Sequence, residues 1–366
     1  MSIKSNQRLV IKVGSALIAP ENNGCSSHHL LSIAQFILRC RKQGKQVILV
    51  SSGSVAAGRQ WIDIKSPSIA LKKAMAAAGQ TNMMAVWDKL FDFPTAQILL
   101  TNADLCNKER YASIKETIES LLDHGVLPIV NENDTVTSEE LKVGDNDNLA
   151  AMVAASTGAD GLILCTDVDG LFDKNPQQHA DAKLIKTIDV IDESIYQMAG
   201  GATSSMGTGG MKTKIEAAEK AVAHGIDTYI VNGFNHQAFS ALLQDENPGS
   251  HFVSCKTPMS PEQHWMTHTV RERGEVVIED QHAALSQHDD VITSASILSV
   301  KGEFAVGDTI LLRTYDGSQV AKATSNYSSC LLNYLMQQAD SSITSGSQPQ
   351  NNSIISQINL AVLERA

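Results

Sequence analysis

Short, continuously aliphatic runs recur through the first two-thirds of the chain, each separated from the next by residues of helical character. They lie at residues 9–11 (LVI), 47–50 (VILV), 126–130 (VLPIV), 161–165 (GLILC) and 228–231 (TYIV). Each is too short for a buried helix and lacks the apolar–polar alternation of a half-exposed strand, so each fits a strand covered on both faces. Helical patterns intervene at about 30–42, 149–157 and 213–224. Strand–helix alternation of this kind predicts an α/β fold, a mostly parallel sheet sandwiched by helices.

In such a sheet, ligands bind beyond the carboxyl ends of the strands. Lys12-Val13-Gly14-Ser15, Ser51-Ser52-Gly53-Ser54, Asn131-Glu132-Asn133-Asp134 and Thr166-Asp167 follow the first four runs. One polar strand end carries little information, whereas four on one edge predict a single polar site.

From about residue 244 to 261 the pattern breaks at Asn247-Pro248-Gly249-Ser250 and Pro258-Met259-Ser260-Pro261. Short alternating strands follow at 275–278, 297–300, 309–313 and 319–323, with turn signals between them. This reads as a catalytic domain over 1–255, a linker over 256–271 and a small β-rich domain over 272–366. The polar stretch 341–352 forms a tail within it, and residues 354–362 return as a last helix or strand.

Composition narrows the function classes. The 366 residues carry 29 Lys and Arg against 40 Asp and Glu, a formal charge of -11. An acidic surface repels nucleic-acid backbones, so nucleic acid is not an expected partner. Residues 271–340 hold 5 basic and 10 acidic residues, which argues the same for the second domain. Six cysteines without a CxxC pair fit a reduced, cytoplasmic protein. No apolar run of about 18 residues suggests a membrane span, and the polar first residues give no reason to expect a secretory leader.

The segment Gly207-Thr208-Gly209-Gly210-Met211-Lys212-Thr213-Lys214 has the composition of a phosphate cradle. Its glycines permit tight turns and close approach, and a helix starting near Thr213 adds amide donors and a partial positive charge. It is neither GxxxxGK[ST] nor GxGxxG, and the same composition suits a surface loop capping a helix. Lys12 ends a buried strand, where an ammonium is costly unless it meets an anion or reaches solvent. The adjoining Gly14-Ser15 turn favours the anion. Gly144-Asp145-Asn146-Asp147-Asn148 offers carboxylates to orient lysines or Mg2+-bound water, or else an acidic helix cap. Asp167 to Gly170 has part of a calcium-loop spacing but not the rest, so a turn is the better reading. No Ser-His-Asp or Cys-His arrangement is legible. A carboxylate acceptor would need no general base, since a Glu side chain with a pKa of about 4.3 is ionised at neutral pH. Phosphoryl transfer to it requires positioning and charge neutralisation.

Six motifs occur in one order: residues 10–15 (VIKVGS), 50–58 (VSSGSVAAG), 130–134 (VNEND), 142–148 (KVGDNDN), 166–171 (TDVDGL) and 206–211 (MGTGGM). This set resembles that of the glutamate 5-kinases, within the amino acid kinase superfamily, over about residues 8–340. The resemblance implies ATP-dependent phosphorylation of the γ-carboxylate of L-glutamate to L-glutamyl 5-phosphate, the first step of proline biosynthesis. It makes Lys12, Lys214 and Asp147 catalytic, with Asp145 assisting Asp147, and assigns glutamate to Ser52, Asp134 and Asn146. The nucleotide falls to Lys12, Thr166, Asp167, Thr208, Gly209, Gly210, Met211, Lys212, Thr213 and Lys214. Mg2+ would be held mainly through the ATP phosphates rather than by a protein metal site. It also implies a homo-oligomer, proline as a competing inhibitor and a PUA-like second domain. Two features depart from the pattern: Ala16 stands where a second hydroxyl is common, and residues 291–300 lack a Pro-Gly turn. Two other readings stay open. One is a superfamily kinase for aspartate, acetylglutamate or a nucleotide; the other is an RNA-associated protein with a vestigial kinase half.

Overall fold

The computed structural model describes residues 5–20, 24–62, 68–137, 145–199, 210–279, 292–293, 296–342 and 353–363. The chain divides into two compact units, Met1–Met259 and Ser260–Ala366.

The first unit begins β1 (Arg8–Val13), α1 (Ser15–Ile18), α2 (Leu30–Lys42), β2 (Gln46–Ser51), α3 (Ser54–Gly58) and α4 (Ile69–Asp88). It continues with β3 (Thr95–Leu100), α5 (Asn102–Cys106), α6 (Lys108–Asp123), β4 (Leu127–Glu132), α7 (Asn146–Ser156) and β5 (Gly161–Thr166). It closes with β6 (Thr187–Ile188), α8 (Glu193–Ala199), α9 (Met211–Ala223), β7 (Asp227–Asn232), α10 (His236–Leu243) and β8 (Ser250–Phe252). Eight strands form one sheet in the order β3-β4-β2-β1-β5-β7-β8-β6. Its pairings are parallel except β7 with β8.

Alternate residues of the central strands enter opposite cores, as a period of two requires. Val10, Ile48, Val50, Val130, Leu162 and Leu164 pack with α7 and α9. Leu9, Ile11, Leu49, Ile129, Ile163 and Val231 pack with α2, α4 and α10. Helix cover on both faces explains why these strands read as unbroken apolar runs. Several elements were not legible in that pattern, β3 and α6 among them. β3 is a half-buried edge strand, and α6 buries only Ile118.

Glycine packing fixes α3 against α4. A Cβ at Gly79 would stand 1.9 Å from the Ser54 carbonyl oxygen, and one at Gly58 would stand 2.0 Å from that of Met75. Only hydrogen at both positions allows the backbones to approach this closely.

The second unit holds α11 (Pro261–His268), β9 (Gly274–Ile278), β10 (Ile297–Gly302), β11 (Thr309–Arg313), β12 (Gln319–Ser325), α12 (Ser329–Ser342) and β13 (Ile355–Val362). Its sheet order is β10-β9-β11-β12-β13, antiparallel except for β9 with β11. The expected linker 256–271 is corrected in part, because 261–268 form α11. A Ser260–Gln263 capping box with Pro261 in the first turn starts that helix. The last apolar stretch, left open between helix and strand, is β13. All six cysteines are free.

Candidate active site

β1 and β5 lie side by side at the centre of the parallel sheet, so their carboxyl ends converge. Lys12 sits within the last turn of pairing on β1 and is nearly buried. The helix α7 starts beside it. Asp145 caps that helix, its Oδ1 accepting from the Asn148 amide at 2.9 Å. Asp147 follows in the first turn, where the partial positive charge of the helix end favours a carboxylate.

Asp147 has no solvent exposure and meets two ammonium groups. Lys12 Nζ lies 2.6 Å from Oδ1, and Lys214 Nζ from the first turn of α9 lies 3.1 Å from Oδ2. Burial alone would raise the Asp147 pKa. The charges and hydrogen bonds of Lys12 and Lys214 outweigh it and bring the carboxyl down to about 2. Two lysines to one carboxylate give this cluster a formal charge of +1, at strand and helix ends that also carry Glu132, Asp134, Asp145 and Asp167. The Thr213 hydroxyl lies 3.2 Å from Asp147 Oδ2 and 2.9 Å from the Gly210 carbonyl oxygen, and donates to one at a time. Lys220 donates to Asn148 Oδ1, tying α9 to α7.

The other sequence-expected residues group around this core. Ser52 follows β2 and donates its backbone N–H to the Val13 carbonyl at 3.0 Å. Asp134, after β4, accepts from Ser54 Oγ at 2.9 Å. Asn146 Oδ1 lies 3.4 Å from the Glu132 amide, at the edge of hydrogen-bonding distance. Thr166 donates to Asp167 Oδ1 at 3.0 Å at the end of β5. Gly210 is the N-cap of α9, which starts at Met211 rather than near Thr213. Thr208 and Gly209, with Gly207, lie outside the described residues.

One expectation changes. Asp145, expected to assist Asp147 with the lysines, has its described contacts with Asn148 and serves as a helix cap. Lys212 is exposed while Lys214 is buried, because residues two apart on a helix point in different directions. The reading of Asp167 to Gly170 as a turn agrees with the positive φ of Gly170 and with Asn232 Nδ2 donating to Asp169 Oδ1 at 2.9 Å.

Several contacts had no sequence signal of their own. Ser54 and Asn131 belong to strand-end motifs but were not singled out. Gln80, which accepts from Asn131 Nδ2 at 2.9 Å, lies among Ala and Met residues in mid-helix. Trp87 Nε1 donates to Ser51 Oγ at 2.9 Å beneath Ser52. Burial pushes the Cys165 thiol up to about 12 against the pull of Lys12, so this cysteine stays neutral and supplies no nucleophile.

A buried carboxylate holding two lysines beside a helix N-terminus suits an anionic reactant. Comparison with known proteins decides which kind of site this is. The profile of the Amino acid kinase family matches residues 7–232. Glutamate 5-kinase 1 of Pseudoalteromonas translucida is 56% identical over 98% of each chain. The chain belongs to the glutamate 5-kinases of the amino acid kinase family. Glutamate 5-kinases of Idiomarina loihiensis and Salinibacter ruber are 49% and 45% identical, over 90% and 87% of each chain. In this member of the family, the matched region contains Lys12, Asp147 and Lys214 together with Ser52, Asp134, Asn146, Thr166 and Asp167.

Proposed function

We propose that this glutamate 5-kinase transfers the γ-phosphoryl group of ATP to the γ-carboxylate of L-glutamate through the Lys12–Asp147–Lys214 cluster. The observation that carries the assignment of roles is that one fully buried carboxylate holds two nearly buried lysines at the strand ends. In the reaction a glutamate carboxylate oxygen forms a bond to the γ-phosphorus. The bond from that phosphorus to the β,γ-bridging oxygen breaks, giving L-glutamyl 5-phosphate and ADP. The acceptor enters ionised, so no residue has to remove a proton.

Lys12 and Lys214 oppose the charge that spreads over the transferring group, which is the main task of protein side chains in phosphoryl transfer. Asp147 fixes both ammonium groups in advance, so little reorganisation accompanies the transfer. The cationic pair and the N-terminus of the thirteen-residue α9 fit a polyphosphate. Thr166, Asp167, Gly210, Met211 and Thr213, with Thr208, Gly209 and Lys212, form the nucleotide side of this reading. Asp147 is engaged by the lysines, and among the described residues no three His, Cys, Asp or Glu side chains converge on one point. Mg2+ would be held mainly through the ATP phosphates, where it would add to the charge neutralisation that Lys12 and Lys214 supply.

Ser52, Asp134 and Asn146 form the glutamate side, where the Asp134 carboxylate is suited to the substrate ammonium. Proline would compete for that pocket, and self-association and a PUA-like second unit complete the reading. Glutamate saturation curves with and without proline, and light scattering, test the first two. Hydroxylamine trapping of the acyl phosphate tests the reaction itself. ATP consumption without a glutamate-dependent hydroxamate would refute it.

A further inference from the structure

Asn131, next to last in β4, has no solvent exposure, yet its side-chain amide carries an oxygen and an NH2 that need partners. Its Oδ1 accepts from the Glu132 amide at 2.9 Å, and its Nδ2 donates to Gln80 Oε1 at 2.9 Å. Glu132 N also faces Asn146 Oδ1 at 3.4 Å. The Gln80 amide therefore holds a side chain that shares a peptide N–H with Asn146, and Asn146 directly precedes Asp147. A second observation concerns how Gln80 reaches β4. The preceding residue, Gly79, has room for no side chain against the Ser54 carbonyl, and this contact draws α4 onto α3. The same α3 begins with Ser54, which holds Asp134. Gln80 Nε2 is buried and has no hydrogen-bond partner among the described residues. An unpaired buried donor carries a desolvation cost, so Gln80 holds this position at some expense to stability.

We infer that Gln80 is a positioning residue for the acceptor pocket, acting through Asn131 to fix the Glu132–Asn146 edge on which glutamate binds. The inference rests on the glutamate reading above. It assigns Gln80 an effect on glutamate and none on the nucleotide, because its contact runs to β4 and not to α9 or β5.

The test uses the full chain, with wild type and three variants assayed by hydroxamate formation and each variant checked by thermal melting. Gln80→Met keeps length but removes the acceptor. Gln80→Asn keeps the amide but withdraws it from Asn131. Gln80→Glu keeps an acceptor at the same reach. Loss of one buried hydrogen bond predicts a rise in glutamate KM of roughly tenfold for Gln80→Met and Gln80→Asn. ATP KM is expected to stay within about twofold, and Gln80→Glu is expected to recover most of the glutamate affinity. A folded Gln80→Met or Gln80→Asn enzyme with unchanged glutamate KM overturns the inference. So does a parallel rise in ATP KM. If Met at this position prevents folding, Gln80→Asn and Gln80→Glu give the same decision. Absence of glutamate-dependent product in the wild type removes the acceptor reading itself, and this inference with it. A normal wild type with insensitive variants removes the inference alone.

Discussion

In the eight-stranded sheet, Lys12, Asp147 and Lys214 meet at strand and helix ends, with side chains between 0% and 8% exposed. In the five-stranded sheet, Arg313 pairs with Glu275 at 3.2 Å and Lys322 with Glu272 at 3.2 Å, on side chains between 15% and 38% exposed. Both sheets thus contain ion pairs of similar length, but only the first removes its charges from water. Removing a buried charge's partner leaves a large desolvation cost uncompensated, whereas exposed pairs contribute little. Nothing in folding the first sheet requires three charges there, since apolar residues of similar size would pack as well or better. The arrangement is intelligible as a site awaiting an anion.

Asp147→Asn should separate the two kinds of pair most sharply. It keeps the shape of the side chain and leaves two nearly buried ammonium groups without their counter-charge. A loss of about 3 to 5 kcal/mol in unfolding free energy is expected by denaturant titration. Folded Asp147 titrates at about 2, below the unfolded value of about 3.9. Its contribution is therefore complete above the unfolded value and disappears as pH falls towards the folded one. The stability gap between variant and wild type should be flat from about pH 5 to 8 and should narrow only in acid. A gap that changes across neutral pH would contradict the assigned charge state.

Lys12→Ala addresses the same cluster through catalysis. Turnover should fall roughly a hundredfold or more, the usual consequence of deleting an electrostatic stabiliser of the transition state. Lys322→Ala in the second unit, where the ammonium meets Glu272 and the Val270 carbonyl, should leave turnover unchanged. Comparable losses in both would erase the distinction between a catalytic and a structural pair.

The contrast also explains what could be read without coordinates. Residues 9–11, 47–50 and 161–165 announced buried parallel strands because both of their faces meet helices. Lys12 was legible for the same reason, as a charge in a run with no room for one. The resemblance singles out Lys214 over Lys212, and the start of α9 supplies the physical reason, because it fixes which side of the helix faces Asp147. Asp145 and Asp147 share a motif, and helix geometry alone separates the cap from the ion pair. Gln80 was invisible because its role depends on an α4–β4 contact spanning 51 residues. The edge strand β3 lacked a signal because an exposed edge imposes no continuous apolar run.

Gly79→Ala probes the packing that supports the pocket rather than its charges. The new methyl would fall 1.9 Å from the Ser54 carbonyl and 2.4 Å from the Gly58 nitrogen, so the helices must separate. Overpacking of this kind costs about 1 to 3 kcal/mol. Because α3 carries Ser54 and α4 carries Gln80, glutamate KM should rise more than ATP KM. Equal changes in the two constants would indicate a general loss of order instead.

Glu275→Gln gives the smallest effect and the other end of the comparison. Glu275 lies on β9 and Arg313 on the parallel neighbour β11, where Leu311 is the residue directly opposite Glu275. The pair is diagonal and partly exposed, far less buried than the Asp147 cluster, and Arg313 also donates through Nη1 to the Gly317 carbonyl at 2.9 Å. The guanidinium therefore keeps a partner when the carboxylate is neutralised. The loss should stay below about 1 kcal/mol and shrink further in high salt, because exposed charges are screened. The Asp147→Asn deficit should persist under the same salt, since water and counter-ions do not reach that carboxylate. Denaturant titrations of both variants at low and high ionic strength make the comparison directly. A salt-insensitive loss at Glu275 equal to that at Asp147 would mean that burial does not distinguish the two pairs.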